Sequence, residues 1–97
     1  MDDNNTHLEK ALMSNHRKII SWIHIMRTQR FAIHEVRDAV GVSSSTATRV
    51  LRKLIDLKLV THHARSAAKR NYSVSSRWPN DVKDVWENYE LAKVLHI

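Results

Sequence analysis

Residues 33–60 read Ile-His-Glu-Val-Arg-Asp-Ala-Val-Gly-Val-Ser-Ser-Ser-Thr-Ala-Thr-Arg-Val-Leu-Arg-Lys-Leu-Ile-Asp-Leu-Lys-Leu-Val. Gly41 within it is the single glycine of the chain. It follows a short segment, His34 to Val40, in which Val36, Ala39 and Val40 are expected to face inward from a helix. A glycine there suits the helix C-terminus, because it enters the left-handed region without a Cβ penalty. Two residues on, Ser43 offers the hydroxyl of a helix N-cap. From Ser44 to Leu57, Ala47, Val50, Leu51, Leu54 and Leu57 recur at three- and four-residue steps. That spacing predicts a longer helix with one buried face. Ser45, Thr48, Arg49, Arg52 and Lys53 fall opposite.

A short helix, a glycine, a serine cap and a longer helix make a helix-turn-helix. The first helix packs across the second, with Ala39 and Val42 expected to fill the bend. The second is then held outward, where it can enter a groove about 12 Å wide.

Upstream, residues 1–7 read as a disordered lead-in. A helix is expected from near Leu8 or from Asn15, a possible N-cap, to about Gln29, with Ile19, Ile20, Trp22, Ile23 and Met26 as its apolar stripe. Phe31-Ala32-Ile33 reads as a short apolar link. Downstream of Lys58 the period changes. Leu59–His63 and Asn71–Ser75 predict two short strands, with Ala64 to Lys69 as an open hairpin tip and Arg70 close behind. Pro79 ends the strand pattern. Residues 79–97 predict a last helix, in which Val82, Val85, Trp86, Tyr89, Ala92 and Lys93 follow one face and Leu95 and Ile97 lie near the end. Asp81 and Asp84 fall in its first turn, where they complement the helix dipole. The fold class expected is mainly α with a small β-hairpin, as one domain over residues 1–97.

Charge is distributed unevenly. The net formal charge is +6; residues 1–43 contribute +1, residues 44–77 contribute +7 and residues 78–97 contribute −2. Concentration in one segment is the footprint of a polyanion-binding face. Apolar residues make up 42% of 97 residues, enough for one core. The chain lacks cysteine, which excludes disulfide scaffolds, thiolate metal sites and cysteine nucleophiles. The acidic start has neither the basic flank nor the apolar run of a secretory signal, and no apolar run reaches membrane-spanning length; a cytoplasmic, nucleoid-associated protein is expected. Carboxylates are scattered and no phosphate-cradling glycine loop exists, so neither enzyme activity nor a cofactor is expected. His62 and His63 point to opposite faces of a strand and cannot easily share a metal ion. Trp78, Trp86 and Tyr89 accompany an acidic helix, which favours a core or dimer contact over base stacking.

Over residues 15–77 the chain resembles the winged helix-turn-helix transcription regulators, in particular the MarR type and small phage and plasmid regulators. The resemblance is carried by the turn Val40-Gly41-Val42-Ser43, by Ser45-Thr46-Ala47-Thr48-Arg49 at the start of the recognition helix, and by Leu54 with Leu59-Val60 at its close. It implies double-stranded DNA as partner, read by Ser44, Ser45, Thr48, Arg49 and Arg52. It also implies a wing whose Arg65, Lys69 and Arg70 meet backbone or minor groove. Thr46, suited to capping or phosphate contact, and Lys53, on the same outward side, complete the candidate set. Lys58 stands where the family usually has glycine, and the wing lacks the acidic–arginine pairing common in MarR-type proteins. The expected activity is transcriptional regulation, as a repressor that occupies a promoter. One recognition helix reads few bases, so a homodimer is expected, with Trp86 and Tyr89 at its interface. Two alternatives use the same pattern: a replication or recombination accessory or initiator of a mobile element, and a winged helix that binds only protein.

Overall fold

The computed structural model describes residues 3–65 and 69–95. They form helices α1 (Asp3–Ile25), α2 (Ile33–Val40) and α3 (Ser44–Asp56), strands β1 (Val60–His62) and β2 (Tyr72–Val74), and helix α4 (Val82–Val94). Among the described residues this is a mainly helical architecture with one small antiparallel sheet, compatible with a winged helix.

α1 is longer than expected. It is continuous from Asp3, so residues 3–7 are helical and Asn15 lies inside the helix instead of capping it. Residues 1–2 lie outside the described residues. The helix ends at Ile25, four residues early, where Met26 to Gln29 form a turn closed by the Gln29 amide on the Met26 carbonyl (2.9 Å). Ile19, Ile20 and Ile23 are fully buried, as the spacing predicts.

α2 and α3 meet at the expected bend. Gly41 takes φ 78°, and its amide and that of Val42 both bond the Arg37 carbonyl (2.8 and 3.3 Å). Val36 is buried, and Val40 and Val42 pack partly against the core. Ala39 does not face inward; it is exposed and borders a groove between α1 and α2. On an eight-residue helix the buried arc is narrow, and Val36 with Ile33 and Val40 fills it.

α3 closes in a Schellman motif. The Leu59 amide bonds the Leu54 carbonyl and the Lys58 amide the Ile55 carbonyl, both at 2.9 Å, which leaves Lys58 at φ 65°. Lys58 thus adopts the left-handed conformation that glycine reaches freely. The Ser75 hydroxyl bonds the Lys58 carbonyl (2.6 Å) and helps hold it there.

The hairpin pairs Val60 with Val74, Thr61 with Ser73 and His62 with Tyr72. Its strands are shorter than the expected Leu59–His63 and Asn71–Ser75, and residues 66–68 of the tip lie outside the described residues. Phe31 is more than a link. Its amide and carbonyl bond the carbonyl and amide of Tyr72 at 2.9 and 3.0 Å, an isolated antiparallel bridge that ties the α1–α2 connection to β2.

α4 starts three residues after Pro79, with Asp81 as its N-cap accepting from the Lys83 amide (2.9 Å). It runs antiparallel to α1. Tyr89 meets His16, Glu90 meets Arg17, and Trp78, upstream of α4, meets His24. Ile97 lies outside the described residues. The core is assembled from α1, α2, α3, α4 and the sheet, with Phe31, Val36, Leu51, Leu54, Val60, Trp78 and Val85 among its members. Each such side chain contributes roughly 1.5–3 kcal/mol when fully buried. Among the described residues no helix is long and apolar enough to cross a membrane.

Candidate nucleic-acid interface

The N-terminus of α3 is organised by Ser43. Its Oγ accepts from the Thr46 amide (3.1 Å) and donates to Thr46 Oγ1 (3.0 Å). One orphan amide of the helix start is thereby satisfied. Thr46 is consequently engaged in the cap, and its half-buried hydroxyl is committed locally. Ser44 Oγ accepts from the Arg37 guanidinium of α2 (3.5 Å).

Ala47, Val50, Leu51 and Leu54 form the buried face of α3, and Leu57 packs partly against it. The opposite face is an open trough of about 490 Å³ lined by Ser44, Ser45, Thr48, Arg49, Arg52, Lys53 and Asp56. Six of the seven sequence-predicted residues of this helix therefore share one surface; Thr46 stands aside in the cap. Among the described residues Arg49 and Arg52 form no ion pair. Asp56, at the far end, is the one carboxylate of the trough.

The hairpin residues divide. Arg65 and Lys69 are exposed, on either side of the undescribed residues of the tip. Arg70 is held back: its Nε bonds both carboxylate oxygens of Glu35 on α2, at 3.0 and 3.2 Å. The ion pair thus joins the hairpin to α2. That hydrogen bond is the chief reason the Glu35 carboxyl lies below its ordinary value. The same Glu35 Oε1 accepts the Ala32 amide at the start of α2 (3.0 Å).

His62 and His63 have separate hydrogen-bond partners. His62 stacks on Tyr72 (4.6 Å between centroids, 12° between planes) and is bonded by the Asn71 side-chain amide; His63 Nε2 is 2.7 Å from Ser73 Oγ. Among the described residues no group of side chains is arranged to hold a metal ion.

The two expected dimer residues occupy different places. Tyr89 is a core residue, 3% exposed, with its hydroxyl 3.1 Å from His16 Nδ1. It cannot reach a second chain, because α1 covers it. Burial raises its hydroxyl to about 12. Burial likewise holds His16 below its ordinary value, and the Lys93 and Arg49 cations push the same way. Trp86 is half-buried beneath Arg17, whose guanidinium lies 5.2 Å from the ring centroid and also bonds Glu90. The large exposed apolar side chains of the described residues are Ile25, Leu91, Val94 and Leu95, all on α1 and at the end of α4. Sequence reasoning grouped α4 residues by their shared helical side; Leu91 and Val94 fell outside that group and were missed.

Arg30 was missed as well. It lies beside the hairpin through the Phe31–Tyr72 bridge, a pairing across 41 residues that no local pattern announces. Comparison of the chain with protein-family models, with curated proteins and with solved structures finds no match, so the geometry alone carries the functional reading.

Proposed function

We propose that the chain is a winged helix-turn-helix domain that binds double-stranded DNA sequence-specifically and acts as a transcriptional regulator, repressing by occupancy of its site in the cytoplasm. α3 enters the major groove and the hairpin rests on the backbone or in the minor groove. One observation carries the reading: Ser44, Ser45, Thr48, Arg49, Arg52 and Lys53 share an open face of α3 whose opposite face is locked into the core. Arg49 and Arg52 have the reach and fork geometry for guanine or phosphate, and the hydroxyls suit phosphate.

The protein acts as a homodimer through α1 and α4. The support is the segregation of Ile25, Leu91, Val94 and Leu95 onto those two helices, whereas α3 carries exposed polar and charged groups.

Selection of bound sequences from random duplexes tests the reading. A recurring motif is expected, and a palindromic one reports the dimer and its half-site spacing. Binding without enrichment, or no salt-dependent affinity for duplex DNA, would overturn it.

A further inference from the structure

Arg30 is exposed and immediately precedes Phe31, which is paired with Tyr72 of β2. That pairing brings Arg30 to an open hollow of about 520 Å³ whose other lining residues are His62, His63, Ala64 and Arg65. The hollow contains no carboxylate, and among the described residues none pairs with Arg30 or Arg65. The neighbouring hollow at His34, Lys69 and Arg70 differs, because Glu35 lines it and neutralises Arg70. The Arg30 hollow therefore brings two guanidinium groups together with no carboxylate beside them, whereas Lys69 shares its hollow with the Glu35–Arg70 pair.

His62 adds a held imidazole. Its Nε2 is 3.2 Å from the Asn71 side-chain amide, and stacking on Tyr72 fixes the ring plane. Its other ring nitrogen makes no hydrogen bond among the described residues. Arg52 lies near enough to Tyr72 for its charge to act on the hydroxyl, and Tyr72 carries the His62 ring on its face.

We propose that Arg30, His62 and Arg65 form a phosphodiester-binding patch that takes the DNA backbone beside the major-groove contact of α3. Two guanidinium groups and one held imidazole ring suit the oxygens of a phosphodiester, and none of them reads a base. Arg30 comes from the connection between α1 and α2, so the patch clamps the duplex from outside the helix-turn-helix. The proposal rests on the DNA-binding reading above.

The test is a salt titration of binding to a selected duplex by fluorescence anisotropy, for the wild-type chain and for Arg30→Ala, Arg30→Lys, Arg65→Ala and Arg52→Ala. Loss of one phosphate contact lowers affinity about fivefold near physiological salt and flattens the log–log slope by about 0.9. Arg30→Ala and Arg65→Ala should each do this with the preferred sequence unchanged, and Arg30→Lys should restore the slope. Arg30 is exposed, and an unchanged thermal unfolding midpoint will show that its variants fold. If Arg30→Ala and Arg65→Ala keep the wild-type slope while Arg52→Ala weakens binding, the patch is overturned and the DNA-binding reading stands. If the wild-type chain shows no salt-dependent affinity, both fall.

Discussion

Arg70 Nε lies 3.0 Å from Glu35 Oε1 and 3.2 Å from Oε2, which fastens the returning arm of the hairpin to the first turn of α2. Glu35 Oε1 simultaneously accepts the Ala32 amide, so one carboxylate sets both the start of α2 and the position of the hairpin. The pair is partly solvated, with Arg70 63% exposed, and contributes of order 0.5 kcal/mol. Its worth is positional.

Lys69 and Arg70 should therefore behave differently despite being neighbours. Lys69→Ala is expected to flatten the salt slope of DNA binding by about one unit. Arg70→Ala should flatten it less and lower stability slightly, and Glu35→Gln should reproduce that stability loss. Salt titrations with urea unfolding of the three variants check this. Equal slope changes for Lys69→Ala and Arg70→Ala would show that Arg70 leaves Glu35 for phosphate.

Arg49 is the strongest candidate reader on α3. Arg49→Ala should weaken binding to the preferred duplex by roughly 1–3 kcal/mol and relax preference at one base position. Binding of an array of single-base variants measures both effects. Unchanged affinity for the preferred site would remove Arg49 as a reader.

The two left-handed residues give opposite predictions. At Gly41 an added Cβ would meet nothing within 4 Å, so Gly41→Ala introduces backbone strain alone and should cost about 1 kcal/mol. At Lys58 (φ 65°) the strain is already present, and Lys58→Gly should stabilise by up to about 1 kcal/mol, less the entropy that glycine adds to the unfolded chain. Chemical denaturation of both variants decides. Destabilisation by Lys58→Gly would mean that the lysine side chain makes a contact worth more than the strain.

Two histidines make stability depend on pH. Burial lowers His16, with Lys93 and Arg49 acting in the same sense; burial and Arg27 lower His24, against a smaller opposing effect of Asp81. Both are hydrogen-bonded at Nδ1, His16 with the Tyr89 hydroxyl and His24 as acceptor from the Trp78 indole. Groups lowered from 6.5 are protonated in the unfolded chain before they are protonated in the folded one. Their contribution is complete above pH 6.5 and is lost as the pH falls from there through the folded values. Glu35, held below 4.5, stays ionised across the start of that window. Urea midpoints at about pH 7.5 and about pH 5.5 should differ, with the lower pH less stable. Equal midpoints would show that neither histidine is held neutral by the fold.

Much of the α3 surface was legible in the sequence, because a helix fixes which residues share a side within a few turns. The spacing of Ala47, Val50, Leu51 and Leu54 sufficed to turn Arg49 and Arg52 outward. Ala39 escaped the same reasoning. An eight-residue helix buries only a narrow arc, and which residues fall in it depends on how α1 crosses. The start of α1 also escaped it, since a polar composition does not by itself prevent helix formation.

What the sequence determined alone is local: the bend at Gly41, the cap at Ser43, the outward basic face of α3 and the change of period after Lys58. Each follows from backbone conformations and periodicities that neighbouring residues impose on one another. The tertiary structure decided the partners. It set Arg70 on Glu35, Tyr89 on His16 and Phe31 on Tyr72, across 35, 73 and 41 residues of chain. Those choices turned one expected DNA contact into an anchor, moved one expected dimer residue into the core and brought Arg30 to the hairpin. No local rule encodes such pairings, because they depend on which faces meet once the whole core has packed.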